Sequence, residues 1–175
     1  LRLGESARVV EVLAPLAGRT SQDRAVSYVL GMALLAEGRV EEAQAAIDRV
    51  LREDSAEAHV LLAAMYMKDE DCERALPEVR AALERNPAVP LASSLLGRCL
   101  MDDRRSDFAG AIEAFRRELA GDPNHFESNL YLGSLLREGG QAEEALPFAE
   151  RAARLRPADV AARYSLGAAL LTEIV

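Results

Sequence analysis

Residues 56–89 read AEAHVLLAAMYMKDEDCERALPEVRAALERNPAV, and this stretch contains the parts of one helical hairpin. Two segments rich in strong helix formers flank the acidic turn at residues 69–71. Ala63 and Ala75 are small enough to let two antiparallel helices approach closely. Pro87 ends the second segment because proline lacks the backbone N–H that a helix needs. The stretch therefore predicts helices at 56–69 and 72–85.

The same pattern of small residues and helix-ending residues recurs along the chain with a period of about 34 residues. Small residues that directly follow a leucine, separated by 32, 34, 36 and 34 residues, are Gly31, Ala63, Gly97, Gly133 and Gly167. The second small residues of successive units are Ala43, Ala75, Ala111 and Ala145, and the helix stops are Ser55, Pro87, Pro123 and Pro157. A period of this length is typical of repeat proteins that stack one supersecondary unit on the next.

The repeat predicts an all-α fold made of stacked antiparallel helical hairpins. Besides the two helices already given, we expect helices at 24–37, 40–53, 90–101, 108–121, 126–138 and 142–155. Residues 5–17 resemble the second helix of a truncated unit, and residues 160–173 a lone first helix. We expect one domain over 1–175, with a partial unit at 1–23, repeats at 24–55, 56–89, 90–125 and 126–159, and a terminal helix at 160–175. Because successive hairpins rotate slightly, the expected architecture is a right-handed α-α superhelix, a solenoid.

The repeat resembles the tetratricopeptide repeat family, whose unit has Leu-Gly and Tyr in the first helix, Ala in the second and a final Pro. The second unit matches at Leu62, Ala63, Tyr66, Ala75, Ala82 and Pro87, and the fourth at Leu132, Gly133, Ala145, Ala152 and Pro157. The third adds Phe115. The family's early tryptophan is absent, and Ser55 replaces the proline of the first unit. The resemblance implies a scaffold or adaptor that binds a protein or peptide in a concave groove lined by first helices.

The family's inward-facing positions give a candidate groove that is mixed but mainly apolar. Its residues are Tyr28, Met32, Leu35, Val60, Ala64, Met67, Leu91, Ser94, Arg98, Met101, Leu130, Ser134, Arg137 and Tyr164. The alternative is that this apolar stripe belongs to the core. Arg98 and Arg137 present planar guanidinium groups that suit carboxylates of a ligand. The alternative for these two arginines is pairing with the neighbouring Asp102 and Glu138.

One specialised form of this groove is not expected here. Family members that grip the acidic C-terminus of Hsp70 or Hsp90 do so through a clamp of lysine, asparagine and arginine. The corresponding positions hold Tyr28, Met32, Leu61, Leu91 and Leu95, and a shift by one repeat places Val60, Ala64, Leu95, Glu127 and Tyr131 there. Neither set reproduces the clamp.

Composition argues against several other classes of protein. The formal charge of −8 disfavours nucleic acid as a partner. No apolar run approaches the roughly 18 residues of a membrane span, so we expect no membrane insertion. Cys72 and Cys99 have no ligand spacing, which predicts buried thiols and neither a metal site nor a disulfide. The phosphate-binding, zinc-protease and nucleophile-elbow motifs are absent, so the sequence predicts no cofactor and no enzyme activity, with His59 and His125 as helix-end or packing residues.

Two alternative functions and several open points accompany this prediction. The array is alternatively the substrate-recruiting arm of a larger multidomain enzyme, or a self-associating structural module whose exposed terminal helices form a homo-oligomer. The chain begins at Leu1 and starts and stops inside repeat units, which suggests an excised fragment. Its positive charge is almost entirely arginine, which favours a GC-rich bacterial genome. The cytoplasm is the favoured location, with the periplasm as the alternative if a signal peptide lies upstream.

Overall fold

The computed structural model describes residues 5–17, 23–51, 54–102 and 106–172. Over these ranges the chain is helical and has no strand. It divides into two compact units, Leu1–Val89 and Pro90–Val175. The first unit contains α1 (Glu5–Leu13), α2 (Asp23–Ala36), α3 (Val40–Leu51), α4 (Ala56–Tyr66) and α5 (Cys72–Arg85). The second contains α6 (Ala92–Leu100), α7 (Phe108–Gly121), α8 (Phe126–Glu138), α9 (Ala142–Leu155) and α10 (Val160–Thr172).

Sequential helices pair as hairpins within each unit. The pairs are α2 with α3 and α4 with α5 in the first unit, and α6 with α7 and α8 with α9 in the second. Helix α1 packs on α2, and α10 packs on α9 and α8. The all-α fold and its hairpin repeat, predicted from the sequence, are therefore confirmed. That the repeats act as one domain stays a prediction.

In the first unit the hairpins close around small residues. A Cβ built on Gly31 would lie 3.4 Å from Cδ2 of Leu61 and 3.7 Å from Cγ1 of Ile47. These are ordinary van der Waals distances, so the glycine leaves a little room at this crossing. The core beside it consists of buried aliphatic side chains, including Leu34 and Val50.

In the second unit one crossing is much tighter. A Cβ built on Gly97 would lie 2.7 Å from the ring of Phe115, which is fully buried. At the next crossing a Cβ on Gly133 would lie 3.2 Å from the backbone nitrogen of Ala149. Phe115 also stacks on Tyr131, with ring centroids 5.6 Å apart. The aromatic ring thus fills the space that the missing Gly97 side chain leaves, as close packing requires.

Some helix ends differ from the prediction. Helix α1 ends at Leu13 and continues as a single 3₁₀ turn that contains Pro15, where no backbone N–H is available. Helix α4 ends at Tyr66 and is followed by the 3₁₀ turn Met67–Asp69. Helix α6 begins at Ala92 because Leu91 has a left-handed backbone with φ 73°. Of the predicted helical residues, 52–53 and 173 lie outside the described residues.

The described helices also bear on membrane insertion. Within the described ranges, every helix is too short or too polar to cross a bilayer. Cys72 and Cys99 are both buried free thiols, as predicted.

Candidate peptide-binding surface

The candidate surface lies on the first helices of the hairpins, and each unit presents its own part of it. In the first unit these helices are α2 and α4, and in the second they are α6, α8 and α10. Residues spaced by three, four or seven positions share one face of a helix. The predicted residues of each helix follow that spacing, so the secondary structure brings them onto common faces.

The first unit exposes only half of its predicted surface residues. Tyr28, Met32 and Ala64 are half-buried, and all three pack against the core of this unit. Leu35 and Val60 are buried in the packing of the helices. Met67 is also buried, and its sulfur lies 3.5 Å from the thiol sulfur of Cys72. In this structure Leu35, Val60 and Met67 contribute to the core, which was the alternative that the sequence left open.

The second unit keeps more of its predicted residues accessible. On α6 and the residues that flank it, Ser94 is buried, whereas the half-buried side chains are Leu91, Arg98 and Met101. On α8 the half-buried side chains are Leu130, Ser134 and Arg137. On α10, Tyr164 is 71% exposed. The accessible apolar side chains and the two arginines therefore occur together on the first helices of this unit.

The two arginines of the second unit differ in their partners. Nη2 of Arg137 donates to Oε1 of Glu138 at 3.0 Å, while its buried Nε has no acceptor. This is the local pairing that the sequence offered as the alternative for Arg137. Arg98 has no carboxylate within ion-pairing distance in the part of the chain that the structure describes. Of these two arginines, only Arg137 therefore forms an ion pair among the described residues.

A buried carboxylate organises the start of α6, and sequence reasoning missed it. Glu118 of α7 is buried, and its two carboxylate oxygens accept hydrogen bonds from the backbone nitrogens of Leu91 at 2.8 Å and Ser94 at 3.2 Å. Leu91 offers no side-chain cap, so the carboxylate from the next helix satisfies N–H groups that would otherwise lack an acceptor. The available signal was that Glu118 stands where the second and fourth repeats have Ala82 and Ala152.

A second carboxylate lies at the start of α8. Oε1 of Glu127 accepts a hydrogen bond from Nη2 of Arg156 at 3.0 Å, and the Arg156 guanidinium lies 3.8 Å from the ring centroid of Phe126. Burial acts to raise the pKa of Glu127. The backbone hydrogen bond at Glu127 and the positive charges of Arg156 and His125 outweigh it, so the pKa lies below its usual value. The negative charge of Glu127 therefore already has a partner within the fold, the guanidinium of Arg156.

Both histidines form hydrogen bonds within the hairpins. His125 is the N-cap of α8 and accepts a hydrogen bond from the backbone nitrogen of Ser128. On α4, Nδ1 of His59 lies 2.6 Å from Glu78 and Nε2 lies 2.8 Å from Asp54. Their predicted place at helix ends or in packing is confirmed.

The repeat matches known proteins over most of its length. The sequence pattern of the family described as "Tetratricopeptide repeat" matches residues 1–58, 28–71, 60–125 and 102–160. Human protein O-mannosyl-transferase TMTC1 is 24% identical over 160 residues, which cover 88% of this chain. The match spans only 18% of the length of that transferase.

Two solved structures illustrate the shared fold. The Thermus thermophilus protein TTC0263, described as a thermophilic TPR protein, is 22% identical with a TM-score of 0.66, covering 96% of this chain and 92% of that one. The first TPR of Spaghetti (RPAP3), bound to the HSP90 peptide SRMEEVD, is 17% identical with a TM-score of 0.61, covering 69% of this chain and 94% of that one. These likenesses support the α-α superhelical fold class predicted from the sequence. The chain belongs to the tetratricopeptide repeat family.

Proposed function

We propose that this protein interaction module binds an extended or helical peptide on the first helices of its second unit. The contact residues are Leu91, Arg98, Met101, Leu130, Ser134, Arg137 and Tyr164. The half-buried Tyr28, Met32 and Ala64 of the first unit offer a separate apolar surface of the same kind. The observation that carries the proposal is the guanidinium of Arg98, which forms no ion pair with any described residue and lies on the same helix face as the apolar Met101.

The chemistry of this surface indicates the chemistry of the ligand. Met101 and Leu130 are only half-buried, so bulky apolar side chains of a peptide gain contact area by packing on them. The flexible thioether of Met101 adapts to anchors of different shape. A ligand carboxylate placed between such anchors forms a charge-assisted hydrogen bond with Arg98. The ligand is therefore an apolar peptide with one suitably spaced acidic residue.

The net charge of the chain limits how acidic that ligand is. With a formal charge of −8, the protein repels strongly acidic peptides at long range. The positions that hold the family's clamp for acidic C-termini carry Tyr28, Met32 and Leu61 or their counterparts in the next register. We therefore expect no measurable binding of the peptide SRMEEVD, which serves as a negative control in fluorescence anisotropy.

A random peptide library displayed on phage tests the proposal directly. Peptides that are enriched on the immobilised chain are synthesised and titrated by fluorescence anisotropy against the parent protein and Arg98→Glu. Reversal of the charge replaces an attraction with a repulsion, and we expect affinity to fall at least about tenfold. The matched control is Arg154→Glu, because Arg154 is exposed on the second helix α9.

The outcomes decide between this surface and another. Weak binding to Arg98→Glu together with unchanged binding to Arg154→Glu supports the proposal. Equal affinity for both variants would place the peptide on another part of the molecule. A library that yields no enriched sequence would contradict the proposed peptide-binding function.

A second candidate function is that of a recruiting arm within a larger enzyme. The match to a short part of human protein O-mannosyl-transferase TMTC1 favours it, since this chain spans 18% of that transferase. In that case the peptide surface holds a substrate for a catalytic domain elsewhere in the polypeptide. The reading frame that encodes the chain provides the test. A transferase domain in the same frame supports this candidate, and a frame that encodes helical repeats alone excludes it.

A further inference from the structure

Leu91 has a backbone conformation that is rare for a bulky residue. Its φ of 73° lies in the left-handed region, where a side chain crowds its own backbone. The other described non-glycine residues with positive φ, Glu70 and Ser106, lie in turns that follow first helices. Leu91 instead directly precedes a first helix, α6, and its half-buried side chain belongs to the proposed peptide surface. Such strain persists only where neighbouring contacts hold it.

The equivalent residues of the neighbouring repeats are helical. Glu57 and Glu127 occupy the same repeat position as Leu91, six residues before the small residue of the first helix. Each is the second residue of its helix, α4 or α8. An α6 that began at the same point would have Pro90 as its first residue, a position that suits proline. Helix α6 begins instead at Ala92, so it starts two residues later than the local sequence permits.

Glu118 provides the contact that accompanies this conformation. Its buried carboxylate accepts hydrogen bonds from the backbone nitrogens of Leu91 at 2.8 Å and Ser94 at 3.2 Å. Hydrogen bonds to a carboxylate are stronger than those to a neutral acceptor. In the second and fourth repeats Ala82 and Ala152 stand at this position, and α4 and α8 begin without a residue of positive φ. The left-handed residue therefore occurs together with the acceptor.

We propose that Glu118 is a positioning residue of the peptide surface and that it acts through Leu91. By holding the Leu91 backbone at positive φ, the carboxylate fixes the direction of the Leu91 side chain, on which an aliphatic side chain of the ligand packs. The inference rests on the proposed function, because Leu91 is one contact residue of the same surface. It adds that a buried residue of α7 determines which apolar anchor the ligand needs.

The direction of the Leu91 side chain depends strongly on this backbone angle. A change of φ from 73° to the helical value turns the Cα–Cβ bond by roughly 135° about the N–Cα bond. The chemistry of the position also differs, since the neighbouring repeats have the carboxylates of Glu57 and Glu127 there. An aliphatic anchor gains apolar contact area on a leucine side chain. A basic anchor would lack a charged partner at this point.

Nuclear magnetic resonance of the unliganded protein tests the backbone step. An amide proton lies closest to its own Hα at positive φ, so a strong intraresidue nuclear Overhauser effect identifies this conformation. We expect a strong effect for Leu91 in the parent protein and a weak one in Glu118→Ala, where α6 can begin at Pro90. Glu118→Gln keeps one acceptor oxygen and should lie between the two.

Peptide affinity tests the positioning step. For a peptide enriched from the displayed library, Leu91→Ala and Glu118→Ala should each weaken binding at least about fivefold in fluorescence anisotropy. The double variant should bind no more weakly than Leu91→Ala alone, because Glu118 acts only through the Leu91 side chain. Measurements are made well below the unfolding transition of every variant, so a loss of stability by itself does not change the affinity.

Asp107→Ala is the matched control within the same unit. Asp107 is the N-cap of α7, and its side chain accepts a hydrogen bond from the backbone nitrogen of Gly110 at 2.9 Å. Removal of this cap should lower stability, as removal of Glu118 does, but it should leave peptide affinity unchanged. An alanine scan of the peptide identifies the anchor. Loss of that anchor should weaken binding to the parent protein and have little effect on Leu91→Ala.

The results distinguish this inference from the proposed function. Positive φ at Leu91 in Glu118→Ala, an unchanged affinity of Leu91→Ala or a further loss in the double variant would each overturn the inference. Equal losses in Asp107→Ala and Glu118→Ala would also overturn it, because the effect would then follow stability alone. Failure of the proposed function has another signature, since Arg98→Glu then binds like the parent or no peptide is enriched. In that case the role of Leu91 as a contact falls with it, whatever its backbone angle.

Discussion

The two units share the same pattern of small residues, but they differ in the side chains that pack at the helix crossings and in the groups that cap the helices. In the first unit, the crossing at Gly31 is roomy, and α4 is capped locally by Ser55, whose side chain accepts from the backbone nitrogen of Ala58. In the second unit, the ring of Phe115 occupies the notch of Gly97, and α6 is capped by Glu118 from the following helix. The first unit relies on local contacts at these points, whereas the second relies on contacts between helices.

This difference shows what a small residue at a helix crossing does and does not specify. It permits two helix axes to approach, but the side chain that enters the gap comes from the partner helix. Where that side chain is aliphatic, the crossing tolerates an added methyl group. Where it is a fully buried aromatic ring, an added atom has no free space to occupy. The two units should therefore respond differently to equivalent substitutions.

The largest expected effect is that of Gly97→Leu in the second unit. A leucine side chain would overlap the Phe115 ring, which a Cβ alone already approaches to 2.7 Å. We expect a loss of about 3 kcal/mol in the free energy of unfolding, the upper part of the range for overpacking. Urea denaturation followed by circular dichroism measures it. A midpoint equal to that of the parent would mean that the ring moves aside freely.

Removal of the cap on α6 should have the next largest effect. Glu118→Ala leaves the backbone nitrogens of Leu91 and Ser94 without their acceptor, and each lost partner of a buried donor costs about 1 to 3 kcal/mol. We expect a net loss of about 2 kcal/mol. The counterpart in the first unit, Ser55→Ala, removes a single local bond and should cost about 1 kcal/mol.

Glu118→Gln serves as the control for charge. Its amide oxygen can still accept one of the two hydrogen bonds, so the loss should be smaller than for alanine. Hydrogen exchange of the Ser94 amide adds a local measurement, because that proton should exchange faster in both variants. An alanine variant with unchanged exchange and stability would show that water replaces the carboxylate.

Acid should destabilise the second unit through Glu127. Burial opposes ionisation of this group, but its backbone hydrogen bond, Arg156 and His125 hold the folded-state pKa below the usual value. The unfolded chain binds the proton more readily, so the stabilisation is present above the unfolded pKa of about 4.3 and is lost as pH falls through the folded value. Urea titrations over this acidic range should show the stability gap between the parent and Glu127→Gln narrowing. A constant gap would contradict the linkage.

The sequence predicted the hairpins well because their determinants are local. Leucine followed by a small residue, and proline after the second helix, act through the neighbouring turns. The start of α6 was harder to predict, because Leu91 has a left-handed backbone and the acceptor for its N–H comes from Glu118, 27 positions later in the chain. For the candidate surface, spacing identified the helix face but not the burial. Val60 and Ala64 are one turn apart, yet Val60 is buried and Ala64 half-buried.

Replacing the crossing glycine by alanine should change stability least, and the sign of that change should differ between the two units. At Gly31 a new methyl group meets Leu61 and Ile47 at ordinary contact distances, and alanine favours a helix over glycine by up to about 1 kcal/mol. Gly31→Ala should therefore leave stability unchanged or raise it slightly. Gly97→Ala gains the same helix preference but forces its methyl group against Phe115, so it should lower stability. Urea midpoints that shift in the same direction for both variants would show that the ring of Phe115 does not make the second crossing tighter than the first.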